Sequence, residues 1–252
     1  MSCKRKPRVV VLILALLVGF LCPVSASATV EGPGFASPRD ALTAYIEGLQ
    51  QGDLGQMMGA FAVETYVERY DLVARIEGMN SYMSRFPIRL PNASPLVKNL
   101  NIEWRRSYIA NEILEQFFSF HWEDETIMYS SIGPFPHEIY GEIPDFVHLL
   151  HESMEPAALQ SMELFAFIEP GLLDERYNEE HSQRMIERGR RAAGADELES
   201  VAAFFMVGSD VYLLTADAIR YGERWYLESL CGTIGFMMGM SPFGGGILSL
   251  TK

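Results

Sequence analysis

Apolar residues run unbroken from Val9 to Leu21, preceded by Lys4, Arg5, Lys6 and Arg8 and by no acid. That run of 13 residues is shorter than the roughly 20 that a membrane-spanning helix needs. Pro23 and then Ala26-Ser27-Ala28 follow it, so residues 1–28 are predicted to be a secretory signal cut after Ala28. Lipid anchoring at Cys22 is disfavoured, because Phe20 and Leu21 are bulky where such signals carry small residues. Residues 29–36 contain Gly32, Pro33 and Gly34 and are expected to form a flexible leader.

From Ser37 the pattern turns helical. Ser37 can cap a helix, Pro38 fits its first turn, and Asp40 suits its positive end. Leu42, Tyr45, Ile46 and Leu49 fall on one helical face. Gly52-Asp53 stops this helix and caps a second, on which Leu54, Met57, Met58 and Phe61 repeat the spacing. A third helix is expected from about Glu64 to Arg85, with Tyr66, Tyr70, Val73, Ile76 and Met79 inward, ended by Pro87 and Pro91. Ser94-Pro95 then starts a long helix ending near His121. Its apolar positions are Leu100, Trp104, Tyr108, Leu114, Phe117 and Phe118, with Arg105, Arg106, Glu112 and Glu115 between them. Prolines and glycines predict a loop from Ile132 to Pro144, and Pro144 can open a short helix with Phe146, Val147 and Leu150.

Further on, Met162 to Ile168 is short and apolar, as a strand is, whereas Leu173 to Ala193 is charged and helical and is expected to be an exposed insertion. Val201 to Val207 reads as a buried strand, Gly208-Ser209 as a hairpin turn, and Val211 to Ala216 as its return. Gly222-Glu223 makes a second turn before Arg224-Trp225-Tyr226-Leu227. Helices first and a meander last predict an α+β fold: one domain over 37–230, with N-terminal helices packed on a C-terminal curved antiparallel sheet. Residues 231–252 form a Gly- and Met-rich tail, uncharged from Cys231 to Leu250. Pro242 and Gly244-Gly245-Gly246 argue against a spanning helix there. The tail is expected to fold along the domain or to stay disordered, and membrane contact is disfavoured.

Composition narrows the partners. Signal removal takes Cys3 and Cys22 and leaves Cys231, so the mature chain has no intramolecular disulfide and must be held by burial. A hydrophobic content of 48% is enough for one sizeable core. It also takes four of the 20 cations, leaving 16 against 33 acids and a net charge of −17. Phosphate backbones are held by clustered Lys and Arg, and the cluster Arg184, Arg188, Arg190 and Arg191 is interleaved with acids. Nucleic acid is therefore not an expected partner, and the cluster reads as a solvated helix face.

The five histidines are His121, His137, His148, His151 and His181. His148 and His151 share a helical face but lack the H-E-x-x-H order and a third ligand, so no metal is expected. No Ser-His-Asp order, G-x-S-x-G elbow, reactive Cys pair or phosphate loop is present, and no cofactor is implied.

Two stretches resemble the NTF2-like superfamily, a cone-shaped α+β fold. SPRDALTAYIEGLQQGDLGQMMGAFA, Ser37 to Ala62, looks like its paired N-terminal helices; DVYLLTADAIRYGERWYLESL, Asp210 to Leu230, resembles its last hairpin. Together they cover about a fifth of the chain. The resemblance implies a curved sheet folded around helices with a pocket between, and makes the stretches Glu64 to Met154 and near Arg184 elaborations on a shorter core. In that family the pocket serves isomerases, dehydratases and hydrolases, and also non-catalytic binders, so fold alone does not choose. Three functions stay open: an exported non-catalytic module holding a small molecule or an envelope protein, an isomerase- or dehydratase-type enzyme, and a structural envelope-assembly protein. The enzyme would need a desolvated carboxyl beside a tyrosine. Tyr66, Tyr70, Asp217 and Glu228 are the candidate site residues for ligand or chemistry.

Overall fold

A computed structural model describes residues 31–82, 87–121, 156–168, 175–240 and 245–251. The signal predicted at 1–28, the loop predicted from Ile132 to Pro144, the helix predicted after it, and His137, His148 and His151 lie outside the described residues.

Local chemistry sets the first helices. Ser37 Oγ accepts the Asp40 N–H at 3.1 Å to start α1, Pro38–Gln51, and Gly52 closes it in the left-handed region. Asp53 Oδ1 accepts the Gln56 N–H at 3.0 Å and starts α2, Leu54–Gly59. Both caps fall where the sequence places them. The third predicted helix is instead two: α3, Glu64–Arg69, and α4, Leu72–Met79. Asp71 lies between them and its Oδ1 caps Ala74 N–H at 2.9 Å, which restarts the chain in a new direction. Val73 and Met79 consequently point outward, 65% and 43% exposed, and Leu54 on α2 is likewise exposed. The long helix α5 runs Pro95–His121, as expected.

After a 3-10 turn at Pro156–Ser161 come β1, Glu163–Ile168, helices α6, Glu175–Asn178, and α7, Glu180–Ala193, then β2, Glu197–Val207, β3, Asp210–Tyr221, and β4, Arg224–Leu230. The tail supplies α8, Gly232–Met237, and β5, Ile247–Ser249. The strands form an antiparallel sheet in the order β1-β2-β3-β4, with β5 pairing Tyr212 to Leu214 of β3 beyond the point where β4 ends opposite Ala216. The architecture is α+β. The free edge of β4 is covered: Phe35 exchanges two backbone hydrogen bonds of 2.9 Å with Trp225, and Phe61 bridges to Leu227. Residues 31–36 are thus hydrogen-bonded structure, not a flexible leader.

Both sheet faces are covered. Leu42, Tyr45, Ile46 and Leu49 of α1 pack with Ala203, Phe205, Leu214, Ala216 and Leu227 in one cluster. Hydrocarbon fills the space where the resemblance expects a hollow. On the opposite face Ala202 and Leu213 meet Tyr177, Cys231, Ile234 and Met240. Double coverage explains why β3 is buried continuously from Tyr212 to Ile219, with no in-out alternation. α7 belongs to this second layer: Ser182, Ala192 and Ala193 are buried, and Ala193 clusters with Tyr66, Ile219 and Tyr221. Its small residues allow the close approach that its charge conceals in the sequence.

The tail folds back along the domain because its glycines permit it. At Gly246, φ is 72°, and an added Cβ would lie 2.2 Å from the Cys231 backbone nitrogen. Gly208 in the hairpin turn also has positive φ, 62°, but nothing within 4 Å. Gly208→Ala is expected to cost about 1 kcal/mol, the backbone penalty alone. Gly246→Ala should cost roughly 3 kcal/mol or more, since backbone must also move. Urea unfolding midpoints of the two variants check the difference.

Candidate functional site

Helix α5 turns a polar stripe inward. Leu100 and Leu114, expected inside, are 59% and 49% exposed, while Asn101, Arg105, Glu112 and Gln116 are buried with Ile109 and Ile113. Burial of such groups requires partners, and each of the four has one. Asn101 Nδ2 donates to Leu90 O at 2.8 Å and to Asn92 Oδ1 at 2.9 Å. Arg105 Nε donates to Ala62 O at 3.3 Å, and its Nη2 donates to the Glu228 carbonyl. Glu112 Oε2 accepts the Leu230 N–H at 3.2 Å. Gln116 accepts from the Tyr45 hydroxyl at 2.6 Å and donates to Gly245 O at 2.8 Å.

Opposite the middle of this stripe β4 carries a bulge. Asp217 pairs with Ser229 and Ala218 with Leu227, so Glu228 is the extra residue. Leu227 and Leu230 both join the α1 core, and the two residues between them, Glu228 and Ser229, both face a cleft on the other side. Strict alternation would send one of them into hydrocarbon. The cleft has a volume of about 300 Å³. Its polar lining includes Tyr66, Arg75, Tyr108, Glu112, Asp217 and Glu228, and its apolar lining Met185, Ile186, Leu198 and Phe236.

Three of the four residues singled out from the sequence therefore converge. The Tyr66 hydroxyl donates to Glu228 Oε1 at 3.1 Å. Tyr66 is placed by α3, whose start is capped from the leader: Glu31 Oε2 accepts Val63 N–H at 2.7 Å and Thr65 N–H at 2.9 Å. Burial, then the charge of Glu228, holds the Tyr66 hydroxyl well above its ordinary range, so it remains a donor. Asp217 lines the cleft, but its acceptors are occupied by Ser200 Oγ and by the Thr233 N–H (3.0 Å) and hydroxyl (3.2 Å). It ties α8 to the sheet. Tyr70 is not among the lining residues; its ring lies 5.4 Å from that of Tyr66, and its buried hydroxyl has no hydrogen-bond partner among the described residues. Burial pushes that hydroxyl up to about 12.

Arg105, Tyr108 and Glu112, which complete the polar cluster, were read from the sequence as parts of an amphipathic helix surface. Their i, i+3, i+7 spacing was the available signal. The Arg105 guanidinium stacks 4.1 Å from the Tyr66 ring centre and 5.8 Å from that of Tyr108. Burial works against its charge, but Tyr66, Glu228 and Glu112 outweigh that and raise its pKa. Burial dominates at Glu112; Arg105 opposes it and Glu228 reinforces it, so the carboxyl is pushed up to about 8. The charge of Glu112, then burial, raises the Tyr108 hydroxyl in turn. Chemically the cleft offers a tyrosine donor fixed on a carboxylate and a carboxyl able to exchange a proton near neutrality. Among the described residues no group of three or more His, Cys, Asp or Glu is arranged to hold a metal ion, and no helix is long and apolar enough to cross a membrane.

Two outcomes follow from this geometry. Arg105→Met should destabilise the fold by about 3 to 5 kcal/mol, because it leaves carbonyls and Glu228 without their cation; chemical denaturation measures it. Glu112 is raised above its unfolded value of 4.5 to about 8. Its contribution is therefore fully present below about pH 4.5 and lost as pH rises through about 8. In Glu112→Gln that decline should disappear, removing a loss of up to roughly 5 kcal/mol. Thermal melts across this window check the sign: the variant gains on the native protein as pH rises.

No family model matches the chain, and no curated protein matches its sequence. A crystal structure of a cystatin-like protein from Ruminococcus gnavus ATCC 29149 is similar at 13% identity and a TM-score of 0.49, over 88% of this chain and 42% of that one. The chain spans less than half the length of that protein.

Proposed function

We propose that this is an exported module that holds a small molecule in the cleft between α5, α7, α8 and the β4 bulge. The observation that carries the reading is the convergence of Tyr66, Tyr108, Glu112 and Glu228 on one cavity of about 300 Å³ that Met185, Ile186, Leu198 and Phe236 also line. That volume lies at the low end of small-molecule sites, and convergent polar groups beside apolar side chains can fix and orient a ligand there. The leading segment, with its cations, apolar run and A-x-A sequence, supports a place outside the cytoplasm. The proposal stands on the cleft and not on the NTF2-like resemblance, whose expected hollow is filled by the α1 core.

A second reading, an enzyme of the isomerase or dehydratase type, is favoured by Glu112, whose carboxyl near 8 is suited to accept and return a proton. Such an enzyme would keep its ligand affinity and lose turnover in Glu112→Gln.

Native mass spectrometry of the chain, purified without denaturation from cells that express it, is expected to show a small-molecule adduct. Tyr66→Phe combined with Glu228→Gln should weaken that adduct by about tenfold or more. A bare chain mass, or an adduct indifferent to the double substitution, would dispose of the cleft as a ligand site.

A further inference from the structure

The hydrogen bonds beside the cleft close into a ring. Arg105 donates from α5 to the Glu228 carbonyl, and Leu230, two residues along β4, donates from its N–H to Glu112 on the same helix. Arg105 and Glu112 lie two helical turns apart on one face, so helix and strand are clamped at both ends. The side chain of Glu228 returns to the cleft and accepts from Tyr66. The ring holds one guanidinium and two carboxyl groups. With both carboxyls ionised it carries a net negative charge, and Glu112, which is 7% exposed, has little water to screen it. With Glu112 protonated the ring is neutral.

Resting on the reading of the cleft as a ligand site, we propose that Glu112 is its proton gate: protonated, it presents an O–H donor to a ligand acceptor; ionised, it presents acceptors alone, and its burial, reinforced by the Glu228 charge across the ring, favours the protonated form. The ligand class this selects in neutral solution is an uncharged molecule with a hydrogen-bond acceptor and an apolar body to lie against Met185, Ile186 and Phe236.

The groups facing Glu112 leave it this role. From its own helix it meets Arg105, which favours ionisation, and Tyr108, whose hydrogen bond to it favours ionisation as well. From α1 it meets Tyr45, whose hydroxyl is held protonated by burial and then by Glu112. From β4 and the residue after it come Glu228, which opposes ionisation, and the Cys231 thiol, pushed up to about 12 by burial and so neutral. Arg105 has its Nη2 and Nε bound to carbonyls, and Arg75 of α4, a second guanidinium, lines the same cleft and acts on Tyr108. On ionisation the proton leaves to solvent, and the Leu230 N–H bond gains a charged acceptor.

Carbon-detected NMR titration of the Glu112 carboxyl in the ligand-free mature chain tests the gate. Its midpoint should lie near 8, and the Leu230 amide proton should move downfield with the same midpoint. Glu228→Gln should lower that midpoint, changing the proton affinity of Glu112 by about threefold or more. The uncharged acceptor probe N,N-dimethylbenzamide should bind at least about tenfold more weakly at about pH 10 than at about pH 6, and equally at both in Glu112→Gln. A midpoint in the ordinary carboxylate range, or a Leu230 amide that does not follow it, overturns the gate. So does a probe affinity equal at the two pH values or absent at both. The ligand reading itself falls only by the mass spectra, and the titration needs no ligand.

Discussion

A guanidinium with no exposed surface is the constraint around which the rest of this structure is arranged. Arg105 is fully buried, and an unpaired cation in that position would be prohibitive. It is made tolerable by carbonyls from two separate segments, Ala62 after α2 and Glu228 in β4, and by the Tyr66 ring on α3. Those three segments are thereby fixed on one helix. Ala62 in turn donates its N–H to Leu227 O at 3.1 Å, so the loop and the strand that share Arg105 are also bonded to each other. The same helix pins the tail through Gln116 and the loop at Leu90 through Asn101. A purely apolar α5 would supply the burial but none of this registry, because dispersion has no direction and hydrogen bonds do.

The position of the cleft follows from that arrangement. Both faces of β3 are filled, one by α1 and the other by Cys231, Ile234 and Met240. Where β4 bulges, the second layer is interrupted. Glu228 and Ser229 point the same way there, and neither can be covered by hydrocarbon without loss of solvation. Tyr66 and Arg105 satisfy part of this polar seam, and α7 and α8 stop short of the remainder. The cavity is thus the place where an apolar layer meets a polar clasp. Its mixed polar and apolar lining is a direct consequence.

Much of the framework was legible in the sequence because local chemistry decides it. Ser37, Gly52 and Asp53 set the ends of α1 and α2; Gly208-Ser209 and Gly222-Glu223 set the two hairpins; Pro95 sets the start of α5. The antiparallel pairing of β2, β3 and β4 followed from strands joined by tight turns, whereas β1 pairs with β2 across the intervening α6 and α7. The α5 orientation was not legible. The rule that apolar residues turn inward selects Leu100 and Leu114, whereas the stripe that is buried, Asn101, Arg105, Glu112 and Gln116, depends on carbonyls supplied by distant segments. The break at Asp71 was missed because an Asp in a helical stretch is read as a surface residue until its side chain is seen to cap Ala74. Charge along α7 hid a packing face made of Ala192 and Ala193.

The site residues illustrate the same division. Tyr66 could be chosen because it sits on an apolar helical face, and Glu228 because it is an acid in a terminal strand. Their meeting could not be derived, since a bulge is a property of two strands and not of one. Asp217 flanks the same register shift but keeps a pairing partner, Ser229, and it is met by Ser200 across the ladder and by Thr233 from α8. Two acids in paired strands thus diverge in role for a geometric reason. Both line the cavity, but the paired one has its acceptors taken by the scaffold, and the unpaired one accepts from Tyr66 and acts by its charge on Glu112.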